Sequence, residues 1–239
     1  LFAALHVPND KKVLMLTKSD AENSDSFLAQ GGICVLRDKN DFDSFMEDTM
    51  KAGHYENRKE SVEIMINSSR DIINELIGYG VNFATKDGEL DYTREGAHSK
   101  PRILFHEDIT GKEITSTLLD AVRKLENVTI MEYVTMTDII EKDNVCYGVL
   151  AKDANNNEMS IEAGYTIFAC GGIGGLYDHS TNYPHLTGDA IAIAIQHGIK
   201  LENVDYVQIH PTTLYTKKKG RAFLISESVR GEGAKLYGK

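Results

Sequence analysis

The order of apolar segments restricts the fold of this chain more than any other sequence feature. Val13–Thr17 is a continuous apolar run that ends at Lys18, which is typical of a buried parallel strand. Apolar residues at helical spacing follow it and predict helices. We predict helices from Asp41 or Asp43 to Ala52, from Asn57 until Gly78 or Gly80, from Gly111 to Leu125 and from Gly188 to Gln196. A strand, then helices, then a β-rich stretch indicate an α/β domain that carries an inserted β-meander.

The β-rich stretch is predicted from short apolar runs that turn residues separate. The predicted strands are Val128–Glu132, Thr135–Glu141, Val145–Lys152, Ile161–Ala169 and Lys200–Ile209. The last of these would deliver His210 at its carboxyl end. In the polar segment before the β-rich stretch, Asp87-Gly88 predicts a hairpin turn.

Composition narrows the classes of function. The chain has 239 residues with a formal net charge of −10, which argues against nucleic-acid binding. No apolar run reaches the ~18 residues that a membrane span needs. The spacing of Cys34, Cys146 and Cys170 fits no metal site, so we interpret them as buried thiols in a reducing cytoplasm.

Two glycine-containing turns are candidates for close contact between backbone and ligand. In Ala29-Gln30-Gly31-Gly32 two glycines stand side by side, and Gly171-Gly172 follows the predicted apolar strand end Thr166–Ala169. Either turn brings backbone N–H groups near a cofactor, or its glycines merely supply a positive φ. Asp189 at the start of a helix has two similar readings, because it either caps the helix or lies near a cofactor.

The chemistry-bearing residues near the C-terminal end suit a small dicarboxylate. They are His210 beside Thr212, Ser226, and the pair Glu227 and Arg230, which share a face if they lie in a helical turn. The pair serves either as a proton conduit or as a plain surface ion pair. Glu95 lies in the charged loop Thr93–Ser99, where a solvated loop is the default interpretation. A carboxylate in a dicarboxylate site would be costly unless it paired with a positive group on the substrate, such as an α-ammonium.

In five motifs the chain resembles the flavoproteins of the succinate dehydrogenase and fumarate reductase superfamily. These motifs are Ala29-Gln30-Gly31-Gly32, Cys170-Gly171-Gly172, Thr187-Gly188-Asp189, His210-Pro211-Thr212 and Glu227-x-x-Arg230-Gly231-Glu232-Gly233. Within that superfamily it is similar to the L-aspartate oxidase family in Thr93–Ser99, Arg102-Ile103-Leu104 and Asp108-x-Thr110-Gly111. The resemblance covers essentially the whole chain.

The resemblance implies a three-layer Rossmann-like FAD-binding domain over residues 1–203 and the start of a capping domain over residues 204–239. It implies a cytoplasmic enzyme that oxidises L-aspartate to iminoaspartate in the synthesis of NAD, with oxygen or fumarate as acceptor and no metal. Quinolinate synthase, which takes the imine onward, is an expected partner. Asp25 lies where covalent members carry the histidine that bonds FAD, so the flavin should be noncovalent.

The resemblance also assigns roles to individual residues. Contacts to FAD are implied for Lys18, Ser26, Ala29, Gln30, Gly31, Gly32, Gly171, Gly172 and Asp189, and for backbone atoms of Met136 and Thr137. The substrate carboxylates are assigned to His210, Ser226 and Glu227, and the α-amino group to Glu95. Arg230 with Glu227 should transfer protons. Ala97 departs from the family, because it occupies a position where these oxidases carry glycine.

The resemblance further implies truncation at both ends. The first strand and its GxGxxG turn, and the family's catalytic arginine, would lie outside the chain. We therefore expect this chain alone to be inactive and to bind FAD poorly, with the full-length parent as the enzyme. Two alternatives stay open: a fumarate reductase or succinate dehydrogenase flavoprotein, and a fragment without catalysis that binds a nucleotide.

Overall fold

The helices begin and end close to their predicted positions. The computed structural model describes residues 1–210, 212–217, 219–225, 233–235 and 237. Its α-helices are α1 (Phe2–Leu5), α2 (Asp25–Leu28), α3 (Phe42–Ala52), α4 (Lys59–Tyr79), α5 (Thr110–Arg123) and α6 (Asp189–Gln196), and 3-10 turns span Lys39–Asp41 and Gly174–Leu176. α4 ends where Gly80 adopts a φ of 106° and donates its N–H to the last turn. Within the described residues, no helix is long and apolar enough to cross a bilayer.

The strands form several small sheets. They are β1 (Val13–Thr17), β2 (Ile33–Cys34), β3 (Thr85–Lys86), β4 (Glu89–Leu90), β5 (Ile103–Leu104), β6 (Val128–Glu132), β7 (Thr135–Lys142), β8 (Val145–Lys152), β9 (Glu158–Glu162), β10 (His179–Ser180) and β11 (Gly220–Arg221). β1 pairs with β6 in parallel, which confirms the parallel strand predicted from the apolar run. β7, β8 and β9 pair in sequence order and antiparallel, which confirms the β-meander.

One compact unit comprises Leu1–Asp25 and Val122–Leu224. Its core consists of Ile139, Val149 and Ile193, so that α6 packs on the meander. Leu16 of β1 and Met136 of β7 pack against the same cluster. Burial of these apolar side chains, each worth roughly 1.5–3 kcal/mol, joins the meander to the end of β1 that precedes Lys18.

A second compact unit comprises Ser26–Ala121 with the described residues after Leu224. Its core joins α3 and α4 through Phe45, Val62 and Ile66. β2 pairs with β5 antiparallel. The hairpin of β3 and β4 has the predicted two-residue turn, because Asp87 and Gly88 adopt positive φ values of 54° and 85°.

Two predicted strands are wrong in whole or in part. Ile161–Ala169 was expected to be one strand, but β9 ends at Glu162, and Ile167 is 72% exposed. Lys200–Ile209 forms no strand in the described part of the chain, and Ile209 is 82% exposed. Both segments are apolar enough for a strand. An apolar run becomes a strand only where a neighbouring strand takes its backbone hydrogen bonds. Within the described residues 163–169 and 200–209, only Ala163 donates to a neighbouring strand, to the carbonyl of Tyr147 in β8.

The three cysteines are free, and each is only partly buried where buried thiols were expected. Burial raises the pKa of the Cys34 thiol and of the Cys170 thiol. Because the thiolate is the nucleophile and the metal ligand, this raised pKa disfavours the reactive form of both groups. Among the described residues, no group of three His, Cys, Asp or Glu side chains could hold a metal ion.

Candidate functional site

Lys18 connects the end of β1 to the start of α6 in the first unit. Its Nζ donates to Thr187 Oγ1 at 2.6 Å and to Asp189 Oδ2 at 2.8 Å. The hydroxyl of Thr187 in turn donates to Asp189 Oδ1 at 2.7 Å. The lysine lies at the carboxyl end of a parallel strand, which is where open α/β sheets place ligands. About a third of each charged side chain is exposed, at 29% for Lys18 and 32% for Asp189, so both keep atoms that a ligand can reach.

Gly171 and Gly172 belong to the same cluster. The N–H of Gly188 donates to the carbonyl of Gly172 at 3.1 Å, which places Thr187-Gly188-Asp189 against the glycine turn. Gly188 is required there, because its φ is +73° and a Cβ would lie 2.4 Å from Ile173 Cγ2. Four residues predicted to contact the cofactor, Lys18, Gly171, Gly172 and Asp189, are thus brought together.

Met136 and Thr137 lie on β7, and their side chains show no special site chemistry. Met136 packs against the core of the first unit. Between Met136 and Asp138 the pairing with β8 shifts register, so Thr137 falls at an irregularity of the ladder. A contact through backbone atoms stays a prediction for both residues.

Asp25 holds a neighbouring segment of the first unit. It accepts hydrogen bonds from the side-chain amide of Asn182 and, at 3.0 Å, from the backbone N–H of Tyr183. The carboxylate therefore has a structural task in the position where covalent relatives carry histidine. That FAD is held without a covalent bond stays a prediction.

In the second unit, the turn Ala29-Gln30-Gly31-Gly32 packs on the start of α5. The carbonyl of Ala29 accepts the N–H of Gly111 at 2.8 Å. A Cβ at Gly111 would lie 2.2 Å from the carbonyl oxygen of Ser26, so only glycine fits. Sequence reasoning assigned Gly111 no role in the site, although a glycine at the start of a helix is a signal of close approach. Ser26, Ala29 and Gly31 are exposed, which leaves backbone of this turn open to a ligand.

Glu95 lies beside this turn. Its Oε1 accepts the N–H of Gly32 at 3.1 Å, and its Oε2 would lie 3.3 Å from a Cβ at Gly31. The structure thus places the carboxylate predicted to recognise the α-amino group next to two glycines predicted to contact the cofactor. The chain separates these residues by more than sixty positions, and the sequence alone did not predict the contact.

Replacing Gly32 by alanine should disturb this turn. The added Cβ would lie 2.3 Å from the carbonyl oxygen of Leu104, which belongs to a buried strand and cannot withdraw. We expect the free energy of unfolding to fall by about 1–3 kcal/mol, as in other overpacked sites, when chemical denaturation is measured. Gly31→Ala is the matched control, because its Cβ would meet only the carboxylate of the Glu95 side chain, 3.3 Å from Oε2, and no backbone atom. Equal losses in the two variants would contradict the close approach at Gly32.

Arg102 forms a buried ion cluster with α3. Its side chain is fully buried, and its Nε and Nη2 donate to the two oxygens of Asp41 at 3.0 and 2.8 Å. Nη2 also donates to Ser44, and Nη1 donates to Asp48. The guanidinium lies over the ring of Phe45 at 4.9 Å. Sequence reasoning missed this cluster, although Asp41, Ser44 and Asp48 follow helical spacing along one face.

The pKa of Asp41 is lowered by the hydrogen bonds and charges of this cluster. Burial alone would raise it, but hydrogen bonds from Arg102 and Ser44 outweigh burial and lower the pKa from 3.8 to about 2. The same balance of burial against hydrogen bonds from Ser99 and Arg102 lowers the pKa of Asp48. Burial, with the charge of Arg102, lowers the pKa of His98, whose Nδ1 lies 3.0 Å from Arg102 Nη1. His98 is therefore neutral at neutral pH and accepts from the guanidinium.

We expect acid to weaken the protein through Asp41. A depressed pKa contributes stability that is fully present above the unfolded value and is lost as the pH falls through the folded one. For a shift from 3.8 to about 2, the loss is about 2 kcal/mol, spread between about pH 5 and pH 2. Chemical denaturation across this range should show the decline in wild type and in Asp43→Asn, an exposed carboxylate of the same helix. A decline of wild-type size in Asp41→Asn would contradict the assignment.

The remaining predicted substrate residues are described in part. His210 is half-buried, and its Nδ1 accepts the N–H of Thr212 at 3.2 Å. Ser226, Glu227 and Arg230 lie outside the described residues, so their assigned roles stay predictions.

The family model and the similar proteins that match this chain point to the same family. Residues 1–239 match the family described as FAD binding domain. The L-aspartate oxidase of Clostridium perfringens (strain 13 / Type A) is 46% identical over 99% of this chain and 54% of its own length. The L-aspartate oxidase of Clostridium acetobutylicum is 47% identical over 99% of this chain and 55% of its own length. The chain thus spans about half the length of the curated relatives it matches.

Solved structures share the fold. A quinol-fumarate reductase with menaquinol molecules superposes with a TM-score of 0.89 at 25% identity, over 97% of this chain and 40% of that chain. Mycobacterium smegmatis Sdh1 in complex with UQ1 superposes with a TM-score of 0.81 at 29% identity, over 92% of this chain and 40% of that chain. These similarities confirm the α/β fold class, and the identities to the two clostridial proteins confirm the resemblance to L-aspartate oxidases.

Proposed function

Because the chain belongs to the FAD binding domain family, its cofactor is FAD, and we propose that the full-length protein oxidises L-aspartate to iminoaspartate. The observation that carries this proposal is the contact between Glu95 and the N–H of Gly32. It supports an anionic group beside a cofactor-binding turn, where the α-ammonium of an amino acid can pair with it. A succinate or fumarate enzyme has no such cation to recognise, and an unpaired carboxylate beside its dianionic substrate would be repulsive.

The residues of both units fit FAD chemically. In one unit, Lys18 offers a cationic donor, Asp189 an acceptor, and Gly171 and Gly172 exposed backbone. In the other unit, the exposed backbone of Ala29 and Gly31 serves the same purpose, with Ser26, Gln30 and Gly32 around it. Exposed glycine backbone admits a ligand at a distance that a Cβ would block. We propose that each set contacts FAD, as do backbone atoms of Met136 and Thr137.

The protein residues position the substrate and move its protons. FAD supplies the two-electron oxidation when it is bound. Glu95 binds the α-ammonium and fixes the orientation of the amino acid. His210, Ser226 and Glu227 bind the two carboxylates, and Arg230 with Glu227 transfers the proton. Fixing three charged groups of one small substrate lowers the barrier mainly by positioning it.

Oxygen or fumarate is proposed as the acceptor of the electrons. On this proposal the product is an unstable imine that a further enzyme of NAD synthesis, quinolinate synthase, would consume. A cytoplasmic location stays a prediction from the sequence.

Anaerobic reduction of the flavin tests the proposed activity. In the full-length protein, L-aspartate should bleach the flavin absorbance, and succinate at the same concentration should not. Bleaching by succinate and not by L-aspartate would instead assign the protein to the fumarate reductase and succinate dehydrogenase group, whose fold it shares. No bleaching by either compound would favour a nucleotide-binding protein without this catalysis.

A further inference from the structure

Glu95 belongs to a short loop that is closed at its base, which we call the Glu95 loop (Thr93–Arg102). Thr93 and Ile103 exchange two backbone hydrogen bonds of 2.9 and 3.2 Å, so both ends of the loop are fixed to β5. Inside it, the N–H of His98 donates to the carbonyl of Glu95 at 3.4 Å. Ala97 adopts a φ of 69°, in the left-handed region. The backbone course between the two ends is therefore a tight turn that local contacts only partly determine.

Contacts from α3 hold the far side of this loop. Asp48 Oδ2 accepts the N–H and the hydroxyl of Ser99, each at 2.7 Å. The same oxygen accepts from Arg102 Nη1, which also lies 3.0 Å from His98 Nδ1. Both of its partners, Ser99 and Arg102, belong to the Glu95 loop. A carboxylate that accepts several hydrogen bonds from one loop restricts that loop strongly.

The guanidinium of Arg102 divides its hydrogen bonds between two carboxylates of different reach. Asp41 already satisfies two nitrogens of Arg102 with a bidentate pair. The third nitrogen, Nη1, is directed to Asp48 and His98 instead of to a further residue of the core. The ion cluster thus extends from α3 into the loop, and at the other end of the loop Glu95 contacts Gly32.

We infer that Asp48 and Arg102 are positioning residues, which hold the Glu95 loop on α3. The Glu95 carboxylate thereby stays beside Gly32, where it selects amino-acid substrates over other dicarboxylates. The inference rests on the proposed function of Glu95. Neither residue needs to touch substrate. If the loop moves by about an ångström, the Glu95 carboxylate is displaced from the substrate ammonium, and their electrostatic attraction falls.

The first test measures the loop itself in the full-length holoenzyme. Asp48→Asn keeps the size of the side chain and leaves Asp41 to pair with Arg102, so the core should stay folded. Amide hydrogen exchange at Ser99 and Gly32 should become about tenfold faster, the change expected from loss of a charge-assisted hydrogen bond. Asp43→Asn, on the same helix and exposed, should exchange at the wild-type rate. Unchanged exchange in Asp48→Asn would overturn the inference.

The second test measures substrate choice. In Asp48→Asn, the half-saturating concentration of L-aspartate for anaerobic flavin reduction should rise about tenfold, equivalent to one strong hydrogen bond. The dissociation constant of succinate, followed by the change in flavin absorbance, should stay within about twofold, because succinate has no ammonium. A general structural defect would weaken both ligands. The double variant with Glu95→Gln should be no worse for L-aspartate than Glu95→Gln alone, since both changes remove one interaction.

The outcomes separate the two proposals. Faster exchange with unchanged substrate choice in Asp48→Asn would overturn the positioning role, provided Glu95→Gln does change that choice. If Glu95→Gln itself leaves the choice unchanged, the proposed function of Glu95 fails and the positioning inference fails with it. In that case the exchange data still report whether Asp48 holds the loop.

Discussion

Replacement of Arg102 by methionine is expected to lower the free energy of unfolding by about 3–5 kcal/mol, the cost of removing one partner from a buried ion pair. The guanidinium is fully buried and neutralises Asp41, whose side chain is 4% exposed, and Asp48, whose side chain is 13% exposed. Methionine fills a similar volume but leaves Asp41 with only the half-exposed Lys100, whose Nζ lies 3.5 Å from Asp41 Oδ1, and removes the cation that contacts Asp48. Many domains are stable by only about 5–15 kcal/mol, so the variant should be close to unfolding.

Chemical denaturation of wild type and variant measures this loss directly. Arg94→Met is the matched control, because Arg94 is an exposed arginine of the same loop. Its effect should stay within about 0.5 kcal/mol, as for most surface substitutions. Arg102→Lys should give an intermediate loss, since an ammonium keeps the charge but cannot make the bidentate pair with Asp41. Equal stability of Arg102→Met and Arg94→Met would show that the cluster contributes no net stability.

Replacement of Glu95 by glutamine is expected to lower kcat/KM for L-aspartate by about 30- to 1000-fold, which corresponds to about 2–4 kcal/mol for a lost charge pair at a protected site. Glutamine has the same shape and keeps a carbonyl oxygen for the N–H of Gly32. The turn and its cofactor contacts should therefore persist, and the variant should retain FAD. What it loses is the negative charge that the proposed function assigns to the α-ammonium.

Binding of succinate separates this effect from general damage. Succinate carries two carboxylates and no cation, so Glu95→Gln should bind it as well as or better than wild type. Glu107→Gln, an exposed glutamate of the same unit, is the control for the substitution itself. If the two variants lost activity equally, or if Glu95→Gln lost succinate binding too, the assigned role of Glu95 would be wrong.

The sequence predicted the elements whose signals are local. Periodic apolar residues predicted α4. Of that face, Val62, Ile66, Ile73 and Leu76 are buried, whereas Met65 and Ile77 are 43% and 40% exposed. Asp87-Gly88 predicted its hairpin because a type I′ turn needs positive φ at both positions. The strands β7 and β8 of the meander followed from short apolar runs in succession, whereas β9 overlaps the predicted strand Ile161–Ala169 by only two residues, 161 and 162. Each of these signals lies within a few residues of the structure that it specifies.

Pairings between distant segments were not predicted. No residue near Glu95 in the sequence indicates its hydrogen bond with Gly32. Likewise, no residue near Arg102 indicates its ion pair with Asp41. The segment 163–169 shows the opposite error, because its composition suits a strand while, within the described residues, only Ala163 of this segment donates to a neighbouring strand. Lys18 and Asp189, which the resemblance assigned to one cofactor, do lie together, because a known family supplied the association that spacing does not. That they contact FAD stays a prediction.

The pairing of β1 with β6 has a consequence for how the chain acquires its structure. β1 is synthesised first, yet its parallel partner emerges only after the whole of Ser26–Ala121. Bringing the two ends of so long a segment together costs conformational entropy before the strand pairing can offset that cost. The pairing of β1 with β6 should therefore form late in folding. Ser26–Ala121 is contiguous and contains its own core, so on the ribosome it should become compact before β6 is available to β1. A strand edge that lacks its partner in that interval is a site for misassembly, and Lys11-Lys12 before β1 and Lys18 after it are the kind of charged flanks that keep such a strand soluble.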